Sequence, residues 1–574
     1  MSYGGCCSIK KKRTVGLLLL LFAFHSLFAQ VELNWRFAVT GSVLGIPASD
    51  PAGTVYVLTD DNTLQAIKPY SGTLIWSYRA GEPLSDVLFV GADFTVYLYT
   101  ESRKLIAVTP GGTVRWKRQF NSPLSRSPAA SPEGAVILPM EDGRLIKING
   151  RGRVLWEKPA AYSYTSPVVD QDGSLYISGD NNTIFSYKPT GNGGWSYTLP
   201  ARAEILALRS DYLLALTSER KAFCLDIRGN LIWENDTLPS GNPVSLLSSP
   251  DRIHIVYSSG MVIALNPDGS EESRFQGPPT EGFASIDSKG ALYLFGRDRK
   301  LYRLMDDELI EIESDTPMTA PLLGAAANLF SGGENWIVYS YKTPASAQGW
   351  AGYRGGPLRN GAVDSGASLK RLQEYYEGYP GYLYFEMMSQ SPELDKRLEI
   401  IDRFEKLQRD NQLIEKFPFA PLLLIDMAEE GISYASFDGS LVSNSSSLVR
   451  IKALNLLGDI GDIRTRRFII SHLYQEDSAS AAVSAIWALA MIGFDYDGAA
   501  TRAIASAKER FFNDDGVLLT ICDTLEEIVY YNGIIPDQSG LHVLSSIYSS
   551  NAPYGIRKRA GEIFDNFTGG PRLK

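Results

Sequence analysis

The sequence predicts a multidomain chain, all-β and then all-α: an eight-bladed β-propeller followed by an α-helical repeat domain. Three observations predict it. Tryptophans recur as Trp35, Trp76, Trp116, Trp156, Trp195 and Trp233, at intervals of 41, 40, 40, 39 and 38 residues, and a period of that length marks a repeat architecture. Each interval holds short alternating strand patterns, up to four to a unit, as a propeller blade requires. After Gly366 the alternation stops and apolar residues fall at helical spacing.

With 574 residues, 44% hydrophobic and 11% aromatic, the chain exceeds one ordinary core and is too apolar to be disordered. Lys plus Arg number 55 against 65 Asp plus Glu, a formal charge of -10. The even positive field that drives non-specific binding to nucleic acid or anionic membrane is therefore absent, and no nucleic-acid partner is expected.

Lys10, Lys11, Lys12 and Arg13 precede an apolar run from Val15 to Phe24, with Ala29 before the expected cut at Gln30. This reads as a secretory signal over residues 1–29, with an uncleaved anchor as the alternative. Its removal takes four positive charges, brings the mature chain to -14 and leaves Cys224 and Cys522 as its cysteines. Two cysteines so far apart build no disulfide framework. No second long apolar run follows, so the mature chain is expected to be exported, periplasmic or extracellular, without an integral membrane segment.

The propeller is assigned to residues 30–345. Five units close on Gly, three residues, Trp: Gly72 with Trp76, Gly112 with Trp116, Gly152 with Trp156, Gly191 with Trp195 and Gly229 with Trp233. The Gly permits positive φ in a tight turn, and the Trp supplies a flat surface to pack between sheets. Earlier in the unit an Asp/Gly turn runs into a strand, in Asp50, Gly53 and Tyr56, in Asp170, Gly173 and Tyr176, and in Asp287, Gly290 and Tyr293. Weaker copies stand at Phe94 to Tyr97 and Gly134 to Ile137. In the first unit the strands are expected at 54–59, 64–68 and 73–78, with a short fourth at 44–48. The stretch 320–342 holds three strands and lacks a fourth, while 31–39 is an orphan strand. Joining the two closes a ring of eight; seven blades is the alternative, because the units after Trp233 are degenerate.

These residues carry a resemblance. The segment from Ala66 through Gly72 to Trp76, recurring from Ala107 to Trp116 and less closely from Ala264 to Phe275, resembles the tryptophan-docking motif of quinoprotein-type, pyrroloquinoline-quinone-like propeller repeats. The stretch from Trp350 through Tyr353, Arg354 and Arg359 to Gly361 resembles one common at the edge of such domains. One branch of that family implies a quinone- and calcium-dependent alcohol dehydrogenase. Another implies a cofactor-free envelope scaffold, such as the propeller of the outer-membrane β-barrel assembly complex.

The enzyme branch places a disulfide of adjacent cysteines against the quinone, and the mature chain has no adjacent cysteines. Cys224 falls where other units carry Ala107, Ser186 and Ala264, so it reads as a small core residue. Asp60, Asp61, Asn62, Asp170 and Asp172 sit on the repeated turns, where they favour backbone hydrogen bonds over metal ligation. His254, His472 and His542 have no ligand-like spacing, and no phosphate loop or nucleophile elbow is present. No catalytic, cofactor-binding or metal residue is expected, and no cofactor.

Residues 346–390 read as a Gly-containing connector, in which 351–366 is either a hinge or a strap pinned to the propeller. Residues 391–574 read as helical. Ser391, Pro392 and Glu393 fit an N-cap, a first-turn Pro and an early acid before a face of Leu394, Leu398, Ile401, Phe404 and Leu407. A helix over 421–430 follows, then a Ser/Asn/Gly-rich loop over 438–447. Residues 448–461 align with 480–493 at an offset of 32, with echoes at Ile521, Leu525 and Ile528 and at Ala560, Phe564 and Phe567. This pattern resembles the second helix of HEAT-type repeats, which bury their apolar faces by stacking; an ordinary bundle is the alternative. Arg464, Arg466 and Arg467, and Arg557, Lys558 and Arg559, read as solvated helix faces.

The expected function is a non-catalytic envelope scaffold that binds partner proteins or peptides through propeller loops and helical repeats. A quinone-dependent dehydrogenase-like propeller and a cell-wall glycan-binding protein are the alternatives.

Overall fold

The computed structural model describes residues 31–568 except 161, 210, 211, 250, 307, 313–318, 334, 349, 350, 353, 357, 363–375, 377, 378, 380 and 430–446. The expected signal at 1–29, Trp350 and most of the loop at 438–447 lie outside the described residues. Among the described residues no helix is long and apolar enough to cross a membrane.

Eight four-stranded antiparallel sheets form eight blades. Blade 1 runs Ala48–Ser49, Val55–Thr59, Thr63–Ile67 and Leu74–Arg79, from the innermost strand outwards. Its two middle strands are buried throughout, while Leu74–Arg79 alternates exposed and half-buried. The middle strands are thus covered on both faces by neighbouring blades, and the outer strand meets solvent. The innermost strand is shorter and later than the 44–48 expected from the sequence, because Gly45 at φ 72 and Pro47 interrupt the ladder before Ala48.

Blade 8 is ordered Glu32–Ala38, Ile337–Lys342, Asn328–Gly332, Leu322–Leu323. The orphan N-terminal strand pairs from Glu32 with Lys342 to Ala38 with Ile337, so the ring is closed by both ends of the domain and holds eight blades rather than seven.

The Gly and Trp of one unit serve two different blade interfaces. Trp35, Trp76, Trp116, Trp156, Trp195 and Trp233 each donate an indole N–H to a carbonyl in the turn of the next blade, at Pro69, Pro110, Gly150, Pro189, Ile227 and Pro267, over 2.6–2.9 Å. Each ring lies flat on that turn's glycine. A Cβ on Gly112, whose φ is 84, would stand 2.6 Å from Trp76 Cδ2. Gly112→Ala is expected to cost about 2–3 kcal/mol through the clash and the left-handed backbone, read as a lower thermal midpoint. Gly193→Ala is the control, since nothing lies within 4 Å of its Cβ position.

The Asp/Gly turn is also closed by side chains. Asp50 accepts the Thr54 amide at 2.9 Å and the Tyr56 hydroxyl at 2.8 Å, and Asp287 accepts Ala291 N at 2.9 Å and the Tyr293 hydroxyl at 3.1 Å. Blade 2 has Gly91 in place of that Asp, and the buried Tyr97 hydroxyl has no partner among the described residues.

The C-terminal region is helical: α1 (Tyr382–Ser389), α2 (Leu394–Arg409), α3 (Leu413–Lys416), α4 (Ala420–Glu429), α5 (Ser447–Ile460), α6 (Arg466–Gln475), α7 (Ala479–Ile492), α8 (Ala499–Arg510), α9 (Asp515–Asn532), α10 (Ser539–Tyr548) and α11 (Tyr554–Thr568). The two units offset by 32 residues are α5 and α7. They pack with Ala453 and Ala485 buried, and Gly458 so close that a Cβ would meet Trp487 and Ala488 at 2.8–2.9 Å. Their ends, and that of α9, turn at Gly461, Gly493 and Gly533, with φ 69, 74 and 78.

The structure departs from two of the expectations. Ser391 is not the N-cap of α2: its hydroxyl accepts Glu393 N at 3.3 Å in a turn one step earlier, and Glu393 occupies the cap without a side-chain bond. Arg464 and Arg466 are not solvated. Arg466 is buried and pairs with Asp495 at 2.5 Å and with Asp497, tying α6 to the loop after α7, while Arg464 reaches Asp462 at 2.6 Å. The same run leaves Arg467 exposed, because helical spacing turns neighbouring residues to different sides.

Candidate functional site

The turns between the first and second strands and between the third and fourth strands of each blade lie on one propeller face. The helical region docks there, on blades 2 to 4. In blade 2 (inner strand Leu84–Val90) the turn that carries Gly53, Gly134, Gly173 and Gly290 in blades 1, 3, 4 and 7 carries Phe94, held at φ 60. Its ring meets Phe494 edge-on at 4.7 Å and Tyr496 at 5.3 Å. Beside it Tyr531, at the end of α9, donates to Asp93 Oδ2 at 2.9 Å, and Arg115 pairs with the same carboxylate at 2.8 Å while lying 4.8 Å over the Tyr531 ring. Gly111 and Gly533 touch backbone to backbone: a Cβ on Gly111 would stand 2.5 Å from Gly533 N.

Arg151 of blade 3 completes the joint. It donates to Gly458 O at 2.6 Å and Asp459 O at 3.1 Å, near the end of α5, and to Met491 O at 3.0 Å, at the end of α7. One cation thus satisfies orphan carbonyls at the negative ends of two helices. Burial and the neighbouring Arg115 push its guanidinium down to about 10, so it stays charged at neutral pH.

The connector is a strap. Ile286 N donates to Ala351 O, Val90 N to Leu358 O, Ala130 N to Asn360 O and Val169 N to Gly361 O, at 2.8–2.9 Å, and Arg359 donates to Ile46 O. Ser288 N and Ala347 N bind the strap to blades 7 and 8. Blades 3 and 7 stand opposite in a ring of eight, so the strap, bonded to blade 7 at Ala351 and to blade 3 at Asn360, crosses the propeller axis. Arg354, Leu358, Arg359, Asn360 and Gly361 are buried there.

The strap closes the axis on the helical side and leaves a blind pocket of about 230 Å³ on the other. Its walls come from the loops and inner strands of blades 4 to 7, with Val168, Leu206, Leu246 and Leu247 buried, and its floor is Gly352, Arg354 and Gly361. At the rim Arg126 is held by the carbonyls of Tyr164 and Ser125, each at 2.8 Å, and Arg202 lies 5.4 Å over Tyr164 and pairs with Glu204 at 3.4 Å. An apolar well under a mostly cationic rim suits a ligand that is apolar with a negative end. Sequence reasoning missed this site, because its walls converge from loops about 40 residues apart that carry no shared motif.

The residues singled out as candidate ligands are placed apart. Asp61 binds Thr59 and Asp172 binds Ser174 within their turns, while Asp60 accepts the Ser42 amide from the segment before the inner strand of blade 1. Among the described residues no group of three or more His, Cys, Asp or Glu is arranged to hold a metal ion. Burial pushes the Cys224 thiol up to about 11 and Cys522 to about 12, and pushes the buried His254 down to about 4. Both thiols are therefore expected to resist a disulfide reagent at pH 8 in the folded chain and to react only after denaturation; fast labelling of either one without denaturant contradicts this.

Residues 30–164 match the family described as outer membrane protein assembly factor BamB. Among solved structures the chain is similar to BamB from Moraxella catarrhalis, with 14% identity and TM-score 0.46 over 54% of this chain and 99% of that one. It is also similar to Sqt1 from Saccharomyces cerevisiae, with 12% identity and TM-score 0.46 over 55% and 100%, and to a computationally designed protein, Ika8, with 13% identity and TM-score 0.45 over 54% and 99%. No curated protein matches.

Proposed function

We propose that this chain, an eight-bladed propeller whose first blades match an outer-membrane assembly-factor family, is an exported, non-catalytic scaffold of the cell envelope that binds proteins or peptides. One observation supports this most: the helical region and the strap occupy one propeller face, and the opposite face presents loops around a blind axial pocket. Such a surface is held rigid by the scaffold beneath it, so binding carries little ordering cost. The signal-like stretch at 1–29 supports export, and the stacked helices α5, α7 and α9, read as HEAT-like units, offer a second surface.

The test is photo-crosslinking in the native host, with the reactive group placed at Tyr164 or Glu204 on the open face and, as an azide-bearing phenylalanine, at Phe94, which is buried beneath the helices. Envelope proteins are expected from the open face and not from Phe94. Capture no greater than a mock control at both open-face positions overturns the reading. A titration with quinone and calcium is expected to leave the protein's absorption spectrum unchanged.

A further inference from the structure

We infer that the axial pocket receives an extended peptide segment of a partner, paired to the inner edges of blades 5 and 6, with an acidic group beside a large apolar side chain. This rests on the scaffold reading above and names the chemistry of its partner.

The strap shows how this axis holds an extended chain. Its backbone or side chains bond the inner strands or turns of blades 1, 2, 3, 4, 7 and 8, and at Val169 and Ala362 it forms a parallel β-bridge. Among the described residues no backbone hydrogen bond of the strap reaches blades 5 or 6. Those two blades have inner strands of seven and six residues, Ala203–Arg209 and Pro243–Ser248, where blades 1, 3, 4, 7 and 8 have two. An innermost strand has one paired side; its other edge faces the axis with backbone groups that can add a further strand. The pocket lies over this gap, since Glu204, Leu206, Ser245 and Leu246 line it.

Charge and size narrow the occupant. Arg126 is oriented by two backbone carbonyls and makes no ion pair among the described residues, so a carboxylate arriving there meets a preorganised cation. Glu204 is already paired with Arg202. The apolar well of about 230 Å³ is smaller than the roughly 300–1,000 Å³ of most cofactor sites, which fits a large side chain and its flanking backbone better than a whole cofactor.

A display library of random dodecapeptides, selected on the whole purified chain, tests this. Enriched peptides are expected to alternate apolar and polar residues and to carry Asp or Glu. Arg126→Glu is expected to weaken them about tenfold or more, the scale of one lost charge-assisted contact. N-methylating the peptide backbone should abolish binding, and hydrogen exchange should slow over 203–209 and 243–248. No enrichment, binding indifferent to Arg126→Glu or to N-methylation, or protection confined to other segments overturns the proposal. If the open face still crosslinks to an envelope protein while these results fail, the axial peptide site falls and the scaffold reading stands.

Discussion

Arg450→Leu is expected to destabilise the helical region by about 3–5 kcal/mol, the scale of removing one partner from a buried ion pair. Arg450 of α5 is 2% exposed and meets Glu476, 0% exposed, with Nη2 2.9 Å from Oε1 and Nε 3.1 Å from Oε2. His472 Nε2 lies 2.7 Å from the same carboxylate, and Ser478 N donates to it at 2.9 Å. Leucine removes the charge and strands a carboxylate between α5, α6 and α7. Helical circular dichroism during urea unfolding reads the loss, and the double variant Arg450→Leu with Glu476→Leu should recover part of it, because the uncompensated charge is gone. A midpoint unchanged by Arg450→Leu refutes the prediction.

The same carboxylate sets an acid limit. Burial pushes Glu476 up, but hydrogen bonds from His472, Arg450 and the Ser478 amide outweigh it and hold the group at about 2, below its ordinary 4.5. A depressed folded value means the contribution is complete above pH 4.5 and is lost as pH falls towards 2. Acid unfolding of the helical region is therefore expected to begin below that upper value.

Gly111→Val is expected to separate the helical region from the propeller, costing about 2–3 kcal/mol of docking through overpacking. The added side chain would begin 2.5 Å from Gly533 N, with backbone on both sides and nothing flexible to yield. The Tyr531, Asp93 and Arg115 contacts lie beside it and should be lost together. Small-angle scattering should show a larger radius of gyration, and exchange should rise at the ends of α7 and α9. A scattering profile identical to the parent's rejects the prediction.

Much of the propeller was legible because its determinants are local and repeated. The Gly and Trp spacing, the Asp/Gly turn and the unpaired strand at 31–39 each appear as residue types at a fixed period. Even part of the joint was visible as an anomaly: blade 2 lacks the turn Asp and has Phe94 where a glycine belongs, which marked a weak repeat and is in fact an aromatic contact to Phe494. Arg464 and Arg466 were misread for the opposite reason. A run of cations on a helix is usually solvated, and Arg466 is buried by partners about 30 positions away, Asp495 and Asp497.

The sequence by itself therefore determined the blade unit and the 32-residue repeat that recurs in α5 and α7, and it left the ring between eight blades and seven. Periodicity shows a unit, and only the pairing of residues 32–38 with 337–342 closes the count. Tertiary structure alone decided which propeller face the helices cover, that the strap crosses the axis between Ala351 on blade 7 and Asn360 on blade 3, and that blades 5 and 6 keep their inner edges beside a blind pocket. Those outcomes arise where chain segments far apart in sequence meet. Their energy lies in single contacts, such as one arginine on two helix ends or two glycines touching, that leave no period in the sequence to read.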